Sequence, residues 1–274
     1  MSAMNAIRWG LCCLFQAEPI HFGVRQATHL SKHDRSRQLA MLSATVLANG
    51  QALLAAIDYC ADSGIGAFRV NSRIFPLKTH PQIGYEVADL PDHAAIARTY
   101  RQAADQALRR NIRLSFHPDQ FTLLSSPDAG VTARSLAELA YHAEAAAIIG
   151  ADVLTLHGGG AYGDKPAALA RLTETILRLP APVRSRLALE NDDRTYTPAD
   201  LLPICAATGV AKTQLKTHMS DLSTDITGTP LVRASSGVTD LRFKSANLRE
   251  LNPLRILLEV INRGSLLSSK SQLT

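Results

Sequence analysis

No stretch of this 274-residue sequence approaches the ~18–20 uninterrupted apolar residues of a membrane span. The N-terminal run Ile7–Phe15 holds Arg8 and Gly10 and lacks a following small-residue cleavage site, so it does not read as a secretory signal. Cysteine is sparse: Cys12, Cys13, Cys60 and Cys205 form neither a Cys-x-x-Cys pair nor a disulfide-like spacing. That usage fits a reducing cytoplasm, with Cys12 and Cys13 read as core. A Gly-x-Gly-x-x-Gly turn after the first strand and a Gly-x4-Gly-Lys-Ser/Thr loop are both missing, which removes two common nucleotide cradles. Neither the polarity of a disordered chain nor the glycine period of collagen is present. What remains is an ordinary globular composition, 46% hydrophobic with a formal net charge of +5. The length suits one large α/β barrel or two small domains, and the charge permits a polyanionic partner without demanding one.

From Ile7 to about Val210 two kinds of segment alternate. Short apolar runs ending in polar residues, at Ile7–Cys13, Ala67–Asn71, Ile112–His117, Val153–His157 and Leu187–Glu190, predict buried parallel strands because they lack a polar period of two. Between them, Leu42–Ser63, Asp92–Arg110, Thr132–Ile149, Pro166–Leu179 and Pro198–Ala207 predict helices. Pro166 and Pro198 sit in first turns, Thr197 is a good N-cap, and Gly64, Gly150 and Gly209 follow three of the helices. The fold class is therefore α/β, and the missing dinucleotide turn favours a (β/α)8 barrel over a doubly wound sheet. After Val210 only 64 residues remain, where three more units would need about 105. Candidate strands at Pro230–Ala234 and Leu257–Ile261 do not restore the alternation, so the barrel is expected to be incomplete or irregular there.

Polar residues close the expected strands. His117, His157 and Glu190 end three of them, and His80 lies in the loop just past Ala67–Asn71. The steps from His80 to His117, His157 and Glu190 are 37, 40 and 33 residues, about one β/α unit each, which delivers all four to the C-terminal rim where barrel sites assemble. A lone histidine in such a strand is ordinarily a hydrogen-bonded core residue; three imidazoles and a carboxylate at matching phase suit a borderline divalent metal. Gly158-Gly159-Gly160 offers bare backbone to a phosphate, or is merely a turn. Lys165 could reach a phosphate or stay a solvated lysine, and Asn191-Asp192-Asp193 could ligate or simply shape a turn. Gln120 and Phe121 place an amide and an aromatic on one rim loop, a pair able to stack on or wedge between bases.

Four stretches together resemble the ultraviolet damage endonuclease family, relatives of endonuclease IV. They are Phe68–Leu77 with His80, Leu114–Phe121, Leu156–Lys165 and Leu189–Asp193, in order over roughly residues 7–210. The resemblance implies a TIM barrel holding up to three divalent metals, commonly manganese, that cuts the phosphodiester 5′ of ultraviolet photoproducts. By it His80, His117, His157 and Glu190 match metal ligands, with Glu190 bridging two metals and His117, His157 and Glu190 forming the catalytic set. Gln120 and Phe121 match the pair that probes the duplex, and Arg69, Arg73 and Lys165 are basic rim residues suited to the DNA backbone. The family continues with an Asp-x-His-His strand, a Lys-x-His strand and a late Glu. Here Val210 runs into Ala211-Lys212-Thr213-Gln214, and the Lys-x-His look of Lys216-Thr217-His218 comes too early. A frameshift or truncated gene would produce such a switch.

The expectation is thus a barrel domain over 1–210 and a divergent tail over 211–274. It would be a cytoplasmic, manganese-dependent DNA repair endonuclease acting on damaged duplex DNA, without a nucleotide cofactor or membrane partner, and a monomer. Two alternatives stand beside it: a xylose-isomerase-like sugar isomerase or epimerase, and a barrel that binds damaged DNA without cutting it.

Overall fold

The computed structural model describes residues 9–15, 17–192, 195–213, 222–224, 230–232 and 256–257. In chain order the elements are β1 (Gly10–Cys12), α1 (Ala27–Leu30), α2 (Arg35–Asp62), β2 (Ala67–Arg69), α3 (His93–Arg109), β3 (Arg113–Phe116), α4 (Ala129–Ile149), β4 (Val153–His157) and α5 (Lys165–Arg178). They continue with α6 (Ala181–Arg184), β5 (Leu187–Glu190), α7 (Pro198–Thr208), β6 (Ala211–Thr213), β7 (Leu222–Thr224), β8 (Pro230–Val232) and β9 (Ile256–Leu257).

Helix starts follow local capping. Asp34, Asp128 and Asp164 accept backbone N–H groups at the heads of α2, α4 and α5, and Thr197 and Asp200 form a reciprocal capping box on α7. The Asp34 cap explains why α2 begins at Arg35 rather than at the expected Leu42. Its first turns, Arg35-Ser36-Arg37-Gln38, are polar and carry no apolar period, yet the cap fixes them. Gly150 and Gly209 end α4 and α7 with φ of 73° each, as a left-handed C-terminal turn requires.

The strands β1 to β6 pair in parallel, each with its successor, and β9 adds antiparallel to the free side of β1. A doubly wound sheet reverses its strand order at a switch point; here the order runs straight through six strands, which is the order of a (β/α)8-type barrel. Among the described residues the ring does not close, with β6 at one edge and β9 at the other. The expected strand at Pro230–Ala234 is instead half of a separate β7–β8 hairpin, while Ile256–Leu257 does join the main sheet.

The core lies between the sheet and its helices. Phe68, Leu114, Phe116, Leu154, Leu156, Leu187 and Leu189 from the strands meet Leu42, Leu53, Ile57 and Tyr100 from α2 and α3. By length and a mean hydropathy of 1.5, α2 is long and apolar enough to cross a membrane, but half of that window is buried inside the fold. With β3 to β5 largely buried, the small hydroxyls of Ser115 and Thr155 are accommodated inside the strands, and the larger polar side chains His157 and Glu190 fall at the C-terminal ends.

Candidate metal centre

His157 and Glu190 are the last residues of β4 and β5 and face each other in register. His117 follows directly on β3, whose Phe116 pairs with Leu154 of β4. Sheet register therefore brings three side chains from three β/α units to one point on the C-terminal rim. The His117 and His157 ring centroids are 4.7 Å apart, and one donor atom from each of His117, His157 and Glu190 lies within 4.8 Å of the others. Glu190 is only 2% exposed.

The closest contact sets the chemistry. His117 Nε2 stands 2.6 Å from Glu190 Oε2, while His117 Nδ1 is 3.0 Å from the Pro118 carbonyl oxygen. A carbonyl only accepts, so Nδ1 carries a proton and donates it there, which turns the bare lone pair of a neutral imidazole at Nε2 toward the carboxylate. Two acceptors at that separation repel unless a positive charge is shared between them, either a proton or a metal cation. Two imidazoles and a carboxylate, one ring oriented through its second nitrogen by a carbonyl, are the donors and the supporting contact that zinc or manganese takes. The residues present fit a divalent cation.

His80 is not in that group. Its Nδ1 accepts the backbone N–H groups of Gln82 and Ile83, each at 3.2 Å, and its carbonyl accepts from Gly84 N at 2.7 Å. Arg35 of α2 holds the same loop through the carbonyls of Ile83 and Gly84. With Nδ1 accepting, the neutral ring carries its proton on Nε2, the atom a metal would need bare. Of the four expected donors, His117, His157 and Glu190 are grouped, and His80 stands apart with its ring engaged by its own loop.

Lys165 also departs from expectation. It pairs with Asp200 at 2.7 Å and lies 5.8 Å from the Tyr196 ring centroid, so it ties α5 to α7 rather than standing open for a phosphate. The Lys165 ammonium, helped by Thr197, holds the Asp200 carboxyl below its ordinary range. Asp192 serves a turn, accepting the backbone N–H groups of Thr195 and Tyr196. Asp193 and Lys216–Ser220 lie outside the described residues.

Of the three glycines after β4, Gly158 and Gly159 are required by close approach. A Cβ on Gly158 would stand 2.6 Å from Tyr196 Cδ2, and one on Gly159, with φ +91°, would run into Ser125 Oγ. The Tyr196 and Ser125 hydroxyls both donate to the Gly160 carbonyl.

Gln120 and Phe121 sit on an exposed turn, ordered by the Phe121 N–H donating to Asp119 at 2.9 Å. Phe121 is 74% exposed. Together with Arg73, Arg134, Glu138 and His117 it lines a groove of about 640 Å³ beside the histidine pair. Arg69 lies on β2 in register with Ser115, its Nε buried without a hydrogen-bond partner. The sequence reading missed Arg134, Glu138 and His142, all on α4, because no strand-end phase marks them. His142 is fully buried against Phe116, and burial pushes its pKa down to about 4. Burial likewise pushes the Cys60 thiol up to about 12, so it is no thiolate nucleophile.

The profile of the family described as UV-endonuclease UvdE matches residues 7–227. The UV DNA damage endonuclease of Bacillus velezensis is 34% identical over 202 residues, which are 72% of this chain and 61% of that protein. That of Bacillus pumilus is 34% identical over 183 residues, 66% of this chain and 56% of its own. The chain thus spans little more than half the length of these curated relatives. Among solved structures, the crystal structure of SacUVDE superposes with a TM-score of 0.65 at 25% identity, over 75% of this chain and 68% of that one.

Proposed function

The chain belongs to the UV-endonuclease UvdE family, and from that premise we propose that it is a metal-dependent DNA repair endonuclease that nicks the phosphodiester 5′ of ultraviolet photoproducts in duplex DNA. The observation that carries the metal dependence is the His117–Glu190 contact at 2.6 Å, with His157 in the same cluster. His117, His157 and Glu190 would hold the cation, with manganese as the expected ion, and are the proposed catalytic set; His80 would join only after its ring gave up the backbone contacts of its loop. The chemistry such a cation supplies when bound is polarisation of the scissile phosphate and activation of water.

The chain's own residues do the rest. His117 and Glu190 fix the donor geometry from two strands, and the buried surroundings of Glu190 strengthen its attraction for a cation. Phe121 stands clear of the surface where an aromatic ring could stack on or wedge into the duplex, with Gln120 beside it. Arg73 lines the adjoining groove and would take a backbone phosphate, giving binding that weakens with salt. Arg69 would support it from β2. The proposed machinery lies within residues 1–210, with 211–274 as the proposed divergent tail, of which Ala211–Thr213 and Ile256–Leu257 pair into the same sheet. Damaged duplex DNA is the proposed partner, the protein acts as a monomer, and the cytoplasm is its proposed location.

The test is incubation of purified chain and manganese with irradiated and intact duplexes of defined sequence. Lesion-dependent nicking on the 5′ side, absent in Glu190→Gln, is the expected result. Lesion binding without nicking would replace the reading with a non-cleaving binder. Inertness toward DNA would overturn it, and turnover of a ketose or aldose would then point to an isomerase.

A further inference from the structure

The segment that leaves β2 runs alongside the end of β3, and one serine joins them. Ser72 Oγ donates to the His117 carbonyl at 2.8 Å. The Ser72 carbonyl in turn accepts the Tyr141 hydroxyl of α4 at 2.8 Å, and that hydroxyl accepts the Phe75 N–H at 3.3 Å. Tyr141 is therefore a buried bracket across residues 72–75. Burial pushes its phenol well above the ordinary tyrosine range, which keeps it a donor.

The bond to His117 falls where it controls the ring. The carbonyl that Ser72 holds belongs to the peptide link between His117 and Pro118, and the ring nitrogen Nδ1 donates to the carbonyl of Pro118 itself. Proline has a fixed φ, so holding that peptide plane narrows where the Pro118 carbonyl carbon lies, and the Nδ1 bond to its oxygen closes the rest of the loop that sets the direction of Nε2. A donor's partner outside the metal's own ligands commonly governs affinity in this way.

We infer that Ser72 and Tyr141 are positioning residues for His117: a hydroxyl relay from α4 through the β2 loop that aims Nε2 at the shared cation site. In this role neither residue is itself a ligand of the cation. The inference rests on the metal reading above.

Manganese titration of the protein, followed through the electron spin resonance signal of free manganese, tests it together with thermal melting of the metal-free protein. Ser72→Ala should weaken manganese binding by roughly ten-fold, within the range such supporting contacts span, and Ser72→Thr, which keeps the hydroxyl, should restore most of it. Tyr141→Phe keeps the ring's volume and should weaken binding in the same direction, while the melting temperature of the metal-free protein changes little. The double variant should be no weaker than about the worse single one, since both break one chain of contacts. Unchanged affinity in Ser72→Ala and Tyr141→Phe, or losses that simply multiply in the double variant, would overturn the relay. A wild-type chain that takes up no manganese would instead overturn the metal reading beneath it.

Discussion

The ends of β3, β4 and β5 and the loop after β2 were built from the same kinds of residue, yet they handle histidine differently. His117 and His157 sit at or one residue beyond a strand end, where sheet register decides their position. His80 stands eleven residues beyond Arg69, the end of β2, in a loop whose own backbone uses the ring nitrogen. Spacing of about one unit is shared by both regions, but spacing predicts convergence only while a strand carries the residue. Past the strand, local hydrogen bonds take over.

The sharpest way to break this contrast is to remove a donor from each region. Glu190→Gln should cost roughly 100-fold or more in manganese affinity, more than loss of a mere supporting contact, whereas His80→Ala should change it by less than about three-fold; equal losses, read by metal titration, would erase the distinction. The strand region should also carry the larger pH response. His142, buried behind β3, titrates near 4 in the fold against 6.5 when unfolded. Between those values the unfolded chain binds a proton that the folded chain refuses, so stability is full above about pH 6.5 and falls as pH drops toward 4. The loss should be about 3 kcal/mol, and His142→Leu should flatten that part of the pH curve in urea unfolding. In the loop region, Arg35→Ala removes two hydrogen bonds to the Ile83 and Gly84 carbonyls and should cost about 1–2 kcal/mol with manganese affinity unchanged. Smallest of all, Lys165→Met should alter stability by under about 1 kcal/mol, as a half-exposed pair does. Damaged-duplex affinity should stay within about two-fold; a larger drop would return Lys165 to the DNA contacts.

Much of this was legible in the sequence because it depends on near neighbours. The buried strands at Val153–His157 and Leu187–Glu190 have the expected bounds, since an apolar run on both faces leaves no other reading. Thr197 and Pro198 announce α7 by chemistry confined to four residues. Rim phase brought His117, His157 and Glu190 to notice for the same reason. What could not be read was whatever depends on a distant partner. Lys165 looks free until Asp200, on another helix, reaches it. Ser72 and Tyr141 are unremarkable letters until α4 is laid across the β2 loop. Gly158 and Gly159 read as a supple turn, while the fold shows them making room for Tyr196 and Ser125.

Because His117 and Glu190 are 73 residues apart in the chain and His157 comes from a third unit, no peptide or single β/α fragment contains the cluster. An ion held there therefore binds the assembled sheet and not the opened chain, and each ten-fold rise in its free concentration above the dissociation constant should add about 1.4 kcal/mol to the resistance to unfolding. Titrating the ion during melting thus turns three side chains into a gauge of how firmly the strands keep company.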